Sequence, residues 1–280
     1  MKQESQSART GANNFFQKLF FCSVIIFMGM IMKIIKYKKG TKGKYKVYLE
    51  DGTELQFYED VILKYQLLLK KDIDDKTMIE ADSYNQECDV YYVALHSIEN
   101  RYKSVYELKV WLLNKEYPID LVEKAIQKLL EQGYLNDRMF AKSYIHNQMV
   151  TTNNGPYKIE RELLNKKIDS SIIQEEITCF TEEEQKIKVQ KIIEKGLRSN
   201  HSRGGVVLKQ KIYNDLKNYG YDISYINSVI SQYSFQNTNE IAKKEYEKLY
   251  RKYSRKYEGE ELKRIIHEKL YMKGLSYEEE

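Results

Sequence analysis

The side chains able to do chemistry in this chain are basic, and they cluster. One group reads Arg198-Ser-Asn-His-Ser-Arg203-Gly-Gly, followed by Lys209 and Lys211. A second holds Arg251, Lys252, Arg255 and Lys256, interleaved with Tyr250, Tyr253 and Tyr257. Arg101 and Lys103, then Lys158 and Arg161, occupy matching stretches nearer the start. Arginine and small hydroxyl residues on a loop suit contact with phosphate. Two readings of these residues stand side by side: a recurring contact stripe, or solubilising charge with Glu partners.

Other chemistries lack their residues. His96, His146, His201 and His267 are scattered, without an i+4 His or a Cys at metal-ligand spacing. No Walker A, G-x-G-x-x-G or G-x-S-x-G pattern occurs. Gly204-Gly205 lacks the following Lys-Ser/Thr of a phosphate cradle. The pairs Glu175-Glu176 and Glu260-Glu261 read as solvated helix faces. Cys22, Cys88 and Cys179 are isolated, which fits a reducing compartment. The expectation is a binding protein, not an enzyme, with no cofactor, metal or small-molecule substrate.

The elements that carry the basic groups come from a repeat. Leu112, Leu163, Leu216 and Leu270 are spaced 51, 53 and 54 residues apart. Four residues before each stand Leu108, Ile159, Ile212 and Ile266. Ten after stand Val122, Ile173 and Ile226, and fourteen after stand Ile126, Ile177 and Ile230. An i, i+4 pair, a break, then i, i+4, i+7 describes two amphipathic helices joined by a turn. Asp120, Ser171 and Ser224 are candidate caps for the helix after the turn. Gly220 and Gly274 share a turn position held by Glu116 and Lys167 in the first two copies.

A third helix precedes each pair, marked by Phe140, Ala141, Tyr144 and Ile145 and by Ile241, Ala242, Tyr246 and Leu249. Thr181 with Glu184 fits a capping box opening that helix, and Asn136 and Asp137 offer caps for its counterpart. Units this small must stack to bury a core. Ala141 to Leu163 spans 22 positions and Ala242 to Leu270 spans 28, so the connection between first and second helices is expected to be a variable loop suited to partner contact.

The fold expected is mainly α: an elongated, curved solenoid of tandem three-helix repeats preceded by a small β-hairpin region. Its parts are an apolar extension (1–31), a hairpin cap with linking helices (32–88), repeats over 89–135, 136–180 and 181–236, and a partial repeat (237–280). In the cap, Tyr45, Val47 and Leu49 alternate, Asp51-Gly52 signals a turn, and Leu55 and Phe57 continue the return strand. Helical patterns follow over Glu59–Leu69 and around Asp74–Ala81. The chain stops where the last helix of the fourth copy should begin.

Leu19–Met32 is an apolar run of 14 residues, short of the roughly 20 that span a bilayer. It reads as a weak anchor or as a stretch ahead of a true start at Met30 or Met32. The second is preferred, because a soluble pattern begins at once after it, so membrane attachment is not expected. Net charge is +5, with 20 Lys+Arg against 16 Asp+Glu in residues 181–280 and 12 against 13 in 89–180. This bias permits contact with nucleic acid or an acidic protein. The 25 tyrosines read mainly as amphipathic helix-surface residues.

In this order, on three-helix repeats, several stretches resemble the RecX family of bacterial RecA regulators. They are Glu107-Leu108 through Leu112-Leu-Asn-Lys115, Gly133-Tyr-Leu-Asn-Asp137, Phe140-Ala141-Lys-Ser-Tyr-Ile145, Gly155-Pro-Tyr-Lys-Ile159 with Glu162-Leu163, and Leu270-Tyr-Met-Lys-Gly274. The β-rich start resembles the longer, Gram-positive-type members.

The resemblance implies a cytoplasmic, monomeric protein that lies in the groove of the RecA–DNA filament. It would damp filament growth, recombination, ATP hydrolysis and the co-protease activity behind the SOS response, with weaker affinity for bare single- and double-stranded DNA. The contact residues are not carried over from the family; the basic residues named above are the candidates. The competing reading is a helical-repeat DNA-binding protein without a recombinase partner.

Overall fold

The structure is a computed structural model that describes residues 31–41, 43–236 and 239–277. The expectations for residues 1–30 and for the last three residues lie outside the described range. Two compact units are present: residues 31–95 with 116–125, and residues 96–115 with 126–277.

The first unit is built on a four-stranded antiparallel sheet. Its strands are β1 (Ile31–Lys39), β2 (Lys44–Leu49), β3 (Glu54–Tyr58) and β4 (Asp72–Asp74), in the order β3-β2-β1-β4. The β2–β3 hairpin turns at Asp51-Gly52 as expected: Gly52 has φ +86°, and the Asp51 carboxylate accepts from the Thr53 N–H at 2.9 Å. β4 is an addition to the expected elements. It is three residues long with one buried side chain, Ile73, too short to show alternation.

Helix α1 (Glu59–Lys64) stops before the expected Leu69, because Gln66 turns to φ +53° and the Tyr37 hydroxyl takes up the Leu67 carbonyl. Helix α2 runs unbroken from Asp75 to Asn100, 26 residues. The boundary expected at 88/89 falls inside it, and no Gly or Pro in that stretch interrupts the ladder. Val47, Leu49, Phe57, Val61, Ile62, Leu67, Ile73, Ala81 and Cys88 form the unit's core.

A carboxylate ties the unit's segments together. Asp89 accepts from Lys44 Nζ at 2.9 Å, Tyr58 Oη at 2.8 Å and Tyr117 Oη at 3.0 Å. Burial alone would push its pKa up; the three donors outweigh that and hold it below the ordinary value.

The second unit contains the helical repeats. After α3 (Val105–Leu113) and α4 (Ile119–Glu131), which starts in the first unit, come two full triplets. The first is α5 (Asp137–Thr151), α6 (Pro156–Asn165) and α7 (Ser170–Glu176), closed by a 3-10 turn at Ile177–Cys179. The next is α8 (Glu182–Arg198), α9 (Gly205–Tyr219) and α10 (Ile223–Ile230), followed by the pair α11 (Asn239–Tyr253) and α12 (Gly259–Met272). The register leucines Leu112, Leu163, Leu216 and Leu270 are all buried, at 1% exposure or less. One apolar core runs from Phe140 to Ile230, and Ala242, Leu249, Leu262, Ile266 and Leu270 form another.

Two local expectations shift. The caps after the turn are Asp169 and Asp222, two residues ahead of Ser171 and Ser224. Each Asp accepts from a backbone N–H in the first turn and from the hydroxyl of its neighbouring Ser. Pro118 holds the equivalent place in the first copy. The extra length in later copies is mostly helix rather than loop: α6 has 10 residues, α9 has 15 and α12 has 14. The connections themselves stay short, over 152–155, 199–204 and 254–258.

The four turn positions noted in the sequence all adopt left-handed backbone: Glu116 φ +65°, Lys167 φ +59°, Gly220 φ +83° and Gly274 φ +69°. In copies two to four the following residue donates back to the register leucine: Ile168 to Leu163 at 3.2 Å, Tyr221 to Leu216 at 3.3 Å and Leu275 to Leu270 at 3.0 Å. These are Schellman closures with a buried apolar residue after the left-handed one.

The same turns join the copies. Gly155 N–H, opening α6, donates to Tyr219 O at 2.7 Å, and Tyr157 N–H donates to Gly220 O at 3.1 Å. Gly204 N–H, opening α9, donates to Lys273 O at 2.8 Å. At the start of α3 a side chain makes the bond: Ser104 Oγ donates to Lys166 O at 3.0 Å.

Candidate functional site

The structure sorts the basic residues by what holds them. Lys103 is occupied. Its ammonium donates to Ser97 O at 3.0 Å and Ser97 Oγ at 2.7 Å, closing the end of α2, and lies 5.3 Å from the centre of the Trp111 ring. Burial, and then the neighbouring Arg101, draw its pKa down. Arg101 itself is exposed. Lys158 is half-buried, with its backbone and Cβ against Gly220, while Arg161 is exposed on α6.

The loop after α8 is pinned. Asn200 donates to Arg203 O at 2.7 Å and accepts from Arg203 N–H at 3.0 Å, and Gly204 bonds to Lys273. The side chains of Arg198 and Arg203 project from this fixed frame into solvent. Lys209 is exposed on α9, and Lys211 pairs with Asp215 at 2.8 Å.

On α11 and the turn that follows it the cations gather. Lys244, Lys248, Arg251, Lys252 and Arg255, with Glu247, line a surface depression of about 470 Å³. Glu247 stands 3.8 Å from Arg251. Lys256 is exposed in the turn that follows. Lys244 and Lys248 were absent from the sequence candidates, although the i, i+4, i+7, i+8, i+11 spacing would have found them. Of the tyrosines among them, Tyr246, Tyr253 and Tyr257 pack on the core behind α11, Tyr253 with the Lys252 ammonium 5.3 Å from its ring centre, and Tyr250 is about half exposed. The helix is held from behind by Ala242 and Leu249 and by buried Glu245, which pairs with Lys273.

Several titratable groups outside these clusters serve the fold. Asp137 accepts from Val105 N–H at 2.9 Å; burial raises its pKa, and the hydrogen bond only partly offsets this. Tyr144 donates to Glu162 at 2.7 Å. Among the described residues, no group of three or more His, Cys, Asp or Glu could hold a metal ion, and no helix is long and apolar enough to cross a membrane.

Stacked three-helix units define a helical-repeat protein. Residues 136–176 match the family model described as RecX, second three-helix domain. The Regulatory protein RecX of Lactococcus lactis subsp. lactis is 30% identical over 262 residues, covering 90% of this chain and 96% of that protein. The Regulatory protein RecX of Bacillus subtilis is 29% identical over 254 residues, covering 89% and 95%. A crystal structure of regulatory protein RecX superposes with TM-score 0.60 at 25% identity, covering 71% of this chain and 99% of that one. The chain belongs to the RecX family of regulatory proteins.

Proposed function

We propose that this chain regulates the RecA recombinase by binding the RecA–DNA filament and limiting its extension. Recombination, ATP hydrolysis and SOS co-protease activity would fall as consequences. The observation that carries the reading is the match, over about nine-tenths of both chains, to proteins named Regulatory protein RecX. Two features of the chain support it. Its repeats offer successive, similar surfaces, as binding along a filament of identical subunits requires. Its cations lie on the later repeats, where they supply a salt-sensitive share of affinity beside DNA.

The mechanism is wedging by a monomer. Different repeats engage neighbouring protomers or the DNA between them and favour a filament state that cannot extend. Arg198 and Arg203 are the loop contacts, with Arg101, Arg161 and Lys209 as further exposed cations; Lys103 and Lys211 contribute less because each already has a partner. Replacing Arg198 and Arg203 with Ala weakens filament binding without changing helicity; unchanged affinity removes the loop from the interface.

The direct test is the single-stranded-DNA-dependent ATPase rate of the cognate RecA as the chain is titrated. A fall at substoichiometric protein is the expected result. An unchanged rate, together with ordinary binding to bare DNA, would establish the second reading, a DNA-binding repeat protein without a recombinase partner.

A further inference from the structure

We infer that the basic ridge on α11 is a phosphate-backbone site that grips DNA directly, without reading its bases. The inference deepens the proposed function and rests on it for placing DNA beside the chain. The ridge consists of Lys244, Lys248, Arg251, Lys252 and Arg255 around one depression, with Glu247 the single acid of its lining. No carboxylate lies within ion-pair distance of Lys244, Lys248, Lys252 or Arg255 among the described residues.

The spacing suits a polyanion. Lys244, Lys248 and Arg251 fall on one stripe of α11, and seven rises carry that stripe about 11 Å, with Arg255 in the turn just beyond the helix end. Along one strand of duplex DNA, phosphates recur about every 3.4 Å of axis, so the stripe spans about three of them.

The lining also separates DNA from an acidic protein partner. Stable protein interfaces centre on desolvated apolar or aromatic anchors, and this depression contains neither. Base recognition in single strands stacks successive bases on exposed aromatic platforms; of Tyr246, Tyr250, Tyr253 and Tyr257, three pack against the core and Tyr250 is about half exposed, one ring rather than a series. What remains is long, solvated cations on a helix fixed from behind. That is the equipment for sequence-independent phosphate contact.

The test uses the full chain with Lys244→Gln, Lys248→Gln, Lys252→Gln and Arg255→Gln combined. Gln keeps helix propensity, and circular dichroism checks the fold. The control, Lys36→Gln, Lys38→Gln, Lys70→Gln and Lys71→Gln, removes the same charge from the first unit. Fluorescently labelled single-stranded and duplex oligonucleotides of scrambled sequence are titrated from low to high salt, and RecA ATPase is measured separately.

The ridge variant should lose about tenfold or more in affinity for both oligonucleotides, with its log K against log salt slope shallower by about 3, while the control changes little. Equal loss in ridge and control variants would reduce the effect to net charge and overturn the site. Unchanged DNA binding with lost control of RecA ATPase would also overturn it, making the ridge a protein-binding face. The ATPase response of the unmodified chain tests the regulatory reading on its own, so the two can fail separately.

Discussion

The joint between α3 and α6 and the joint between α6 and α9 perform the same task with different parts. In the second, backbone meets backbone. Gly155 and Gly220 approach so closely that a Cβ on Gly155 would stand 2.8 Å from Gly220 O, and one on Gly220 would stand 2.5 Å from Lys158 N. In the first, Ser104 spans the gap. It caps α3 by accepting from Glu107 N–H at 3.1 Å and donates to Lys166 O at 3.0 Å, while Glu107 pairs with Lys166. Lys167 then tolerates the left-handed turn without glycine. Where a side chain sets the distance, the turn residue is free to vary; where the backbones touch, it is not.

The largest effect should come from Gly220→Ala. Its methyl group faces both a positive φ and a steric collision with α6, so the loss should reach about 3 kcal/mol or more in urea unfolding. Loss below about 1 kcal/mol would mean the backbone contact is dispensable. Ser104→Ala removes a cap and leaves the part-buried Lys166 carbonyl without its donor. It should cost about 1–2 kcal/mol, and a neutral result would dissolve the contrast between the joints.

Tyr221, in the glycine joint, is buried with a hydroxyl that lacks a hydrogen-bond partner among the described residues. Tyr221→Phe should therefore be neutral or stabilising by about 1 kcal/mol. Measured destabilisation would reveal a partner for that hydroxyl. The smallest change belongs to Lys167→Gly, which relieves left-handed strain with no neighbour to strike and should stabilise by up to about 1 kcal/mol. The same sign for Lys167→Gly and Gly220→Ala would break the comparison.

Much of this was legible in the sequence because it rests on local chemistry. The register leucines are spaced by helix geometry, Gly220 and Gly274 mark left-handed turns, and Thr181 with Glu184 forms the capping box written in the residues. Asp51-Gly52 likewise turns the hairpin. What escaped depends on neighbours distant in the chain. Strand β4 exists because β1 offers an edge to pair with, through Met32 opposite Ile73. Lys103 reads as a free cation until the end of α2 places Ser97 beside it.

The added turns of α9 and α12 were hidden because the residues that lengthen a helix and those that lengthen a loop are equally polar here. Among the candidate contacts, Arg251 and Arg255 were legible from charge alone. Lys244 and Lys248 were legible from spacing as well, one helical turn apart on the face opposite the buried Ala242, Glu245 and Leu249, and were passed over.

The most direct test of the central claim compares affinities at one salt concentration, for the RecA–DNA filament and for the same single strand bare. Regulation through the filament predicts binding at least about tenfold tighter to the filament, a difference of about 1.4 kcal/mol. Equal affinity for the two would contradict it and leave a protein that binds DNA alone.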